Sequence, residues 1–316
     1  MFMVRVRFAP SPTGLLHIGN ARTALFNYLF ARRHQGILVL RIEDTDLERS
    51  TEASFEEILK DLRWLGIPWD EGPDRVAPKG PYRQSERSAH YEAAIARLAA
   101  DGLVYLCDCS RRDIANIASA PHAGEEGPRY PGTCRSNGMR LRAWKRPPAV
   151  RVALPDREVV VHDAFQGTLR QNVSQAVGDF VLRRGDGVFA YQLAVVVDDL
   201  AMGVTEIVRG FDLLGSSPRQ VLLAEMLGRK PSGFAHVPLI VDSDGERLQK
   251  RKPRHTLRGQ RAAGVGPDSV IWRLAHSLGL APDKPAARSP VSLLGQALDL
   301  AKLQGLREIR LSQWLV

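Results

Sequence analysis

The sequence predicts an α/β fold: a parallel sheet, an inserted lobe that contains all the cysteines, and a short helical region at the C-terminal end. Apolar strands and amphipathic helices alternate through the first hundred residues, an order that builds parallel sheets with right-handed crossovers. The pattern breaks over residues 107–140, which contain the three cysteines and little periodicity. A length of 316 residues leaves room for such an insertion in one large domain.

Hydrophobic periodicity predicts the elements in chain order. Residues 4–8 alternate as a strand, and a Pro- and Gly-rich loop then leads into a helix over 20–33. A second apolar strand over 37–42 ends in an acidic turn, and a helix over 54–65 has its apolar residues on one face. A third helix is predicted over 86–100.

Regular elements continue on both sides of the inserted lobe. Further strands are predicted at 103–106, 149–154, 180–183 and 236–241. Ser217, followed by Pro218, is predicted to cap a helix that ends near Leu227. Beyond residue 251, helical periodicity over 269–278 and 292–303 predicts a small helical region.

Composition and charge argue against a membrane-spanning or secreted protein and favour one that binds a polyanion. The chain is 44% hydrophobic and 25% charged, without an apolar stretch as long as a bilayer span or an N-terminal h-region. We therefore expect a cytoplasmic protein with no membrane partner. The formal net charge of +9 favours a polyanionic partner such as RNA. The odd number of closely spaced cysteines, Cys107, Cys109 and Cys134, favours a metal site over disulfides in a reducing compartment.

The most informative stretch is RFAPSPTGLLHIGNARTAL, residues 7–25. A Gly-rich turn between a parallel strand and a helix is where α/β proteins bind phosphates, because unpaired N–H groups and the helix dipole meet there. Gly14 and Gly19 would let backbone approach a nucleotide, and His17 adds a side-chain donor. Taken alone, the pattern also fits a plain strand-to-helix turn.

The sequence PSPTGLLHIGN resembles the HIGH signature of class I aminoacyl-tRNA synthetases, with Asn20 in place of the last histidine. The preceding RFAPSPTG is typical of the glutamyl and glutaminyl branch. RLQKR, residues 247–251, resembles the second signature, KMSKS, seen as KLSKR in glutamyl enzymes. Arg247 replaces the first lysine, Gln249 replaces the serine, and Lys250 matches the second lysine. Two signatures in order, about 230 residues apart, identify the family better than either alone.

The resemblance implies activation of an amino acid by ATP with magnesium. It assigns ATP to Gly14, His17, Gly19, Asn20 and Lys250, and makes His17 and Lys250 catalytic. A carboxylate is already a nucleophile at pH 7, so the reaction needs positioning and neutralisation of phosphate charge rather than a general base.

The glutamyl branch also implies a pocket for L-glutamate. Such a site needs cations for two carboxylates and an anion for the ammonium group. The residues that the resemblance assigns to this pocket are Arg7, Ala9, Ser11, Glu43, Tyr191 and Arg209. They project from the carboxyl ends of predicted strands or from adjoining turns, where open α/β sheets bind ligands.

The cysteine lobe resembles the zinc module of some glutamyl synthetases and of short relatives. The resemblance implies one structural zinc ion held by Cys107, Cys109, Tyr130 and Cys134. The 20 residues between Cys109 and Tyr130 exceed the expected length, so His122 remains an alternative fourth ligand. Thiolate ligands suit zinc.

On this resemblance the chain is divided into four parts. A Rossmann-type catalytic domain would begin in 1–106, be interrupted by the zinc-binding insertion 107–140, continue through 141–251, and be followed by a small helical region, 252–316. Only 65 residues follow Arg251, so no anticodon-binding domain is expected. The match is therefore to short relatives that attach glutamate to queuosine in the anticodon of tRNA(Asp).

Two alternatives stay open at this point. One is a short glutamyl-tRNA synthetase that charges a tRNA 3′ end. The other is a non-catalytic RNA-binding paralogue, which the departures at Arg247 and Gln249 would fit. No obligatory protein partner is indicated by any of the three readings.

Overall fold

A mixed α/β architecture is present in the computed structural model, which describes residues 3–110, 112–114, 129–242, 245, 248, 252–280, 289–294 and 300–310. The strands within these residues are β1 Arg5–Phe8, β2 Ile37–Leu40, β3 Val104–Cys107, β4 Ala149–Val152, β5 Glu158–Asp163, β6 Gly167–Asn172, β7 Val181–Arg183, β8 Glu206–Gly210, β9 Gly233–Val237, β10 Leu239–Val241 and β11 Glu308–Arg310. The α-helices are α1 Ile18–Arg33, α2 Glu52–Trp64, α3 Ser88–Ala100, α4 Val173–Ala176, α5 Tyr191–Met202, α6 Ser217–Met226, α7 Leu257–Ala262 and α8 Pro267–Ser277.

A six-stranded sheet in the order β2-β1-β8-β9-β5-β6 forms the centre of the protein. Neighbouring strands from β2 to β5 are parallel, and β6 returns antiparallel to β5 as a hairpin. Side chains alternate between two cores: Leu38 and Leu40 pack in one, and Val39 packs in the other. Apolar burial on both faces is what a parallel sheet between helical layers requires. The predicted α/β fold with a parallel sheet is confirmed.

Helices cover the sheet on both sides. Residues of α1, α2 and α8 share the core that contains Leu38, and residues of α3, α5 and α6 share the core that contains Val39. The C-terminal elements therefore pack on the same core as the first helix. The strand β11 pairs in parallel with β10 as a separate two-stranded sheet. In the described part of the chain, no helix has the length and hydropathy that a membrane crossing requires.

A smaller antiparallel sheet, β3-β4-β7, leads into the cysteine lobe. Cys107 is the last residue of β3, so the lobe begins at the end of an ordered strand. A backbone bridge between Tyr130 and Gly178 ties its far side to the segment after α4. A Cβ at Gly178 would lie 2.2 Å from the carbonyl oxygen of Tyr130, so this close approach requires glycine.

Three local predictions differ from the structure, and one pair of strands was not predicted. The helix predicted from residue 20 begins at Ile18, because His17 caps it. The strand predicted over 236–241 is split at Pro238, which has no N–H to donate to a ladder. The cap of α6 is Ser216 rather than Ser217, which is the first helical residue. The hairpin β5–β6 was not predicted.

The helix predicted over 292–303 is not seen in the described residues of that region. Two short 3₁₀ turns, Val291–Leu293 and Leu300–Leu303, stand there instead. Residues 295–299 lie outside the described residues.

Candidate active site and metal centre

A cavity of about 360 Å³ opens at the carboxyl ends of β1 and β8. Eight of the residues predicted to bind ATP or glutamate line it: Arg7, Ala9, His17, Gly19, Asn20, Glu43, Tyr191 and Arg209. Ser11 is exposed, and neither Ser11 nor Gly14 is part of this lining. Lys250 lies outside the described residues, as do Arg247 and Gln249.

His17 is the N-cap of α1, so its position is set by the helix that follows it. Its Nδ1 accepts a hydrogen bond from the Asn20 backbone N–H at 3.2 Å. A neutral imidazole that accepts at Nδ1 has its proton on Nε2, which is then a donor. A Cβ on Gly19 would lie 2.9 Å from His17 Cε1. The glycine therefore lets the ring lie close over the first turn, at the positive end of the helix dipole.

The two signature segments approach each other at this cavity. Leu248, from the second signature, lines the cavity with His17. The chain just beyond that signature bonds to the first: Leu257 N–H donates to the Leu16 carbonyl oxygen at 3.0 Å, and His17 forms a backbone bridge with Thr256. Distant parts of the sequence are thus joined at one site.

A buried ion network lies behind the side of the cavity that Arg7 and Glu43 line. Arg7 Nε lies 3.1 Å from Asp199 Oδ1, and Arg41 reaches the same oxygen at 2.6 Å and Glu43 Oε1 at 3.1 Å. Burial alone would raise the pKa of Asp199, but Arg41 and Arg7 outweigh it and hold that pKa below its ordinary value. Burial raises the pKa of Glu43 in spite of these same two arginines. A ligand ammonium group beside Glu43 would therefore favour its ionised form.

A second layer of contacts lies behind Arg41, whose Nε is 3.9 Å from Asp198 Oδ2. Asp198, the neighbour of Asp199 on α5, accepts from Arg87 Nε at 2.5 Å, from Gln84 Nε2 at 2.8 Å and from Tyr91 O–H at 2.9 Å. All of these side chains are buried. Buried charges are stable only when paired and hydrogen-bonded, so this layer fixes the network that faces the cavity.

Two arginines at the cavity lack a bonded carboxylate among the described residues. Arg209 is 4% exposed, bonds to His236, Ser217 and the Leu213 carbonyl, and has no partner at NH1. Arg22, on α1, is 1% exposed and has no partner at Nε or NH1. Burial lowers the pKa of Arg22 to about 9. Uncompensated buried cations create a strong preference for anionic ligands.

Sequence reasoning missed the residues behind the site. Asp199 was visible as an acidic residue in an otherwise apolar helix, and Arg41 as an arginine between apolar strand residues and Glu43. Such interruptions of an apolar run are a signal for a buried charge. Asp163 and His236 gave no comparable signal, because their contact depends on the register of strands 70 residues apart.

The three cysteines form a cluster whose sulfur atoms all lie within 4.8 Å of one another. Cys109 Sγ and Cys134 Sγ are 3.6 Å apart, close to the roughly 3.8 Å expected between thiolates bound to one tetrahedral zinc ion. The Tyr130 hydroxyl oxygen is 3.4 Å from Cys107 Sγ and 3.9 Å from Cys109 Sγ. It also accepts from the Cys134 N–H at 3.0 Å. His122 lies outside the described residues, so the fourth ligand stays a prediction.

The donor set fits a metal ion. Burial raises the pKa of the Cys109 thiol to about 12, a cost that a divalent cation would remove by stabilising the thiolate. Three sulfur donors and a phenol around one point are chemistry that zinc accepts.

The parallel sheet, the capped helix and the cavity at the strand ends are together typical of a nucleotide-binding α/β enzyme. Residues 3–281 match the family described as "tRNA synthetases class I (E and Q), catalytic domain". The chain belongs to this family.

Relatives of known name agree with this family. The Glutamyl-Q tRNA(Asp) synthetase of Symbiobacterium thermophilum is 51% identical over 302 residues, covering 94% of this chain and 93% of that protein. The protein of the same name from Nitratidesulfovibrio vulgaris is 46% identical over 297 residues, covering 93% and 91%. The crystal structure of glutamate-tRNA synthetase from Elizabethkingia anophelis superposes with a TM-score of 0.83 at 32% identity, covering 99% of this chain and 69% of that one.

Proposed function

We propose that this enzyme activates glutamate with ATP in the absence of RNA and transfers the glutamyl group to queuosine in the anticodon of tRNA(Asp). The observation that supports it most directly is the similarity to two proteins named Glutamyl-Q tRNA(Asp) synthetase, each matched over at least 91% of its own length. The proposal places the enzyme in the cytoplasm, where its tRNA is found.

In the first step, a carboxylate oxygen of glutamate attacks the α-phosphate of ATP, and pyrophosphate leaves. His17 Nε2–H and the N-terminus of α1 would stabilise the phosphate charge, together with Gly14, Gly19, Asn20 and Lys250. Arg22 is a further donor on the same helix, and its Nε and NH1 have no partner among the described residues. Preorganised donors of this kind are the largest single contribution in many enzymes. Magnesium would enter with ATP.

The amino acid would lie between oppositely charged groups. Glu43 and the Tyr191 hydroxyl, whose pKa burial raises so that it stays neutral, would contact the ammonium group. Arg7 and Arg209 would contact carboxylate, with Ala9 and Ser11 completing the pocket. The Arg209 guanidinium, whose NH1 has no partner among the described residues, favours glutamate over glutamine, which has no negative charge on its side chain.

In the second step, a hydroxyl of the queuosine cyclopentene diol attacks the glutamyl carbonyl, and AMP leaves. The net charge of +9 supports a polyanionic second substrate. Zinc held by Cys107, Cys109, Cys134 and Tyr130 would be structural, since it would stabilise the lobe that follows β3.

Glutamate-dependent exchange between ATP and radioactive pyrophosphate tests the first step with purified protein and no RNA. Exchange with glutamate and none with glutamine or aspartate is the expected result. The second step is tested by transfer of radioactive glutamate to queuosine-containing tRNA(Asp), with tRNA(Asp) that lacks queuosine as the matched control. Equal transfer of glutamate to tRNA(Asp) with and without queuosine would contradict the proposal, because the RNA without queuosine has no cyclopentene diol to accept it.

One alternative is supported by a specific observation. The TM-score of 0.83 to a glutamate-tRNA synthetase favours charging of a tRNA 3′ end as the second candidate. Transfer to tRNA(Glu) whose 3′ end is intact, and loss of transfer after periodate oxidation of that end, would establish it. RNA binding with no exchange under any of these conditions would establish the non-catalytic paralogue instead.

A further inference from the structure

The side chains of three adjacent strand ends form a chain of hydrogen bonds behind the cavity. Arg209 on β8 and His236 on β9 are partners in register, and Asp163 on β5 pairs with Phe234, two residues before His236. Arg209 Nε lies 2.9 Å from His236 Nε2, and His236 Nδ1 lies 2.5 Å from Asp163 Oδ2. The register of the central sheet therefore sets the order carboxylate, imidazole, guanidinium.

The protonation state of His236 follows from its two neighbours. A guanidinium N–H can only donate, so Nε2 must accept, and the single proton of the neutral ring lies on Nδ1, facing the carboxylate. His236 is 0% exposed. Burial lowers its pKa more than the Asp163 contact raises it, which agrees with a neutral ring.

Asp163 is itself held in place by the backbone. Its Oδ1 accepts from the Phe165 and Gln166 N–H groups at 3.0 and 2.9 Å, and its Oδ2 accepts from the His236 N–H at 3.1 Å. Burial would raise the pKa of Asp163, but these bonds and the imidazole contact hold it below its ordinary value. The carboxylate is therefore a fixed anchor for the ring.

The His236 imidazole separates the Arg209 guanidinium from the Asp163 carboxylate. A carboxylate bonded directly to the guanidinium would neutralise it and compete with a substrate carboxylate. His236 instead fixes the direction of the guanidinium with a neutral acceptor, as do Ser217 Oγ at 3.0 Å and the Leu213 carbonyl at 3.2 Å. The NH1 group stays without a partner in the described chain.

We propose that Asp163 and His236 are positioning residues, which orient Arg209 so that its guanidinium, bonded to no carboxylate among the described residues, selects a substrate with an anionic side chain. This inference rests on the proposed activation of glutamate. His236 and Asp163 do not touch the substrate; they act only through Arg209.

The test compares KM for glutamate with KM for ATP in the pyrophosphate exchange reaction. In His236→Gln, an amide oxygen can still accept from Arg209, whereas His236→Leu removes the acceptor. We expect KM for glutamate to rise about tenfold in H236Q and about a hundredfold in H236L, with KM for ATP nearly unchanged, because a misdirected binding group loses such factors. Asp163→Asn should behave as H236Q and should reduce the preference for glutamate over glutamine.

His162→Gln is the matched control, since His162 precedes Asp163 on β5 but is exposed and bonds only to Thr168 among the described contacts. Its constants should equal those of the wild type. Parallel rises in both KM values, or equal effects of H236Q and H236L at equal Tm, would overturn the positioning role. If H236L does not fold, the positioning role is tested with H236Q and D163N, which should each raise KM for glutamate and leave KM for ATP nearly unchanged.

The failure of the proposed function is distinguishable from the failure of this inference. Absence of glutamate-dependent exchange in the wild type would contradict the function. The chain of hydrogen bonds from Asp163 through His236 to Arg209 is then tested by ¹⁵N NMR of the histidine rings. His236 should be neutral at pH 7 with its proton on Nδ1. A proton on Nε2 would contradict this hydrogen-bond chain, whatever the substrate.

Discussion

Replacing Arg22 by methionine should make the protein more stable and weaken its binding of ATP. Arg22 is fully buried, and its Nε and NH1 groups have no partner in the described chain. Burial lowers its pKa from 12.5 to about 9. At about 1.4 kcal/mol per pH unit, that difference corresponds to roughly 5 kcal/mol of unfavourable burial.

The pH dependence of this cost follows from the pKa of Arg22 in the folded and in the unfolded state. At pH 7 the guanidinium is protonated in the folded and the unfolded state, so the whole cost is present. The cost decreases only as the pH rises above 9, where the unfolded state binds more protons than the folded state. The new methionine must also pack in the space of the arginine, and this offsets part of the stabilisation. We therefore expect a net gain of about 1–4 kcal/mol in the free energy of unfolding.

Thermal unfolding with and without ATP measures both sides of this prediction. Arg22→Met should raise Tm by at least about 2 °C without ligand, and it should lose most of the ATP-induced rise in Tm, because ligand stabilisation depends on the ratio of concentration to Kd. Arg229→Met, at an exposed arginine, is the control and should change neither value. A lower Tm for Arg22→Met together with a wild-type response to ATP would refute the reasoning.

Three other perturbations test separate parts of the structure. Cys107→Ser should reduce bound zinc from about one ion per chain to a small fraction, measured by atomic absorption after dialysis, and full retention would contradict the metal centre. Glu43→Gln should raise KM for glutamate by about 10- to 100-fold with little change in KM for ATP, as expected for loss of a charged hydrogen bond, and equal changes in both would argue against an ammonium contact. Asp61 is buried, and its pKa is raised to about 7 by burial, with Arg261 partly opposing it. Since the unfolded state binds fewer protons between pH 3.8 and about 7, stability should fall as the pH rises through that window. Asp61→Asn should therefore raise Tm at pH 8 more than at pH 5, and a pH-independent effect would show that Asp61 does not titrate there.

Much of the fold could be predicted because local patterns determine it. The strand-turn-helix at the start of the chain and the alternation of strands β1 and β2 with α1 and α2 follow from apolar periodicity alone. The predicted start of α1 was two residues late, since histidine is an uncommon cap and its Nδ1 contact with Asn20 N–H has no signal in the sequence. The hairpin β5–β6 was missed because β6 is largely polar and exposed, with the sequence GTLRQN.

The side chains that line the cavity were largely predictable from the sequence, and the buried side chains behind them were much less so. Arg7 and Arg209 lie near the carboxyl ends of β1 and β8, and Glu43 follows β2, where ligand-binding residues are expected. Arg22 and His236 became visible only through burial and strand register, which depend on contacts between distant segments. A sequence pattern gives the face of a helix or strand, but the pairing partner of a buried polar atom is set by tertiary packing.

The central sheet has a consequence for how this enzyme could change its amino acid. Arg41, Arg7, Arg209, His236 and Asp163 stand in a row at the ends of five neighbouring strands, in the order β2-β1-β8-β9-β5. Enzymes that recognise substrates through loops can acquire new preferences by exchanging those loops while the scaffold stays intact. In the proposed function, Arg7 and Arg209 recognise the substrate from strands of the scaffold itself, so an engineer who wants a different amino acid must redesign several buried strands together and preserve their ladder. Divergence by single accepted steps should accordingly be rare at these strand ends and much easier on the exposed surface.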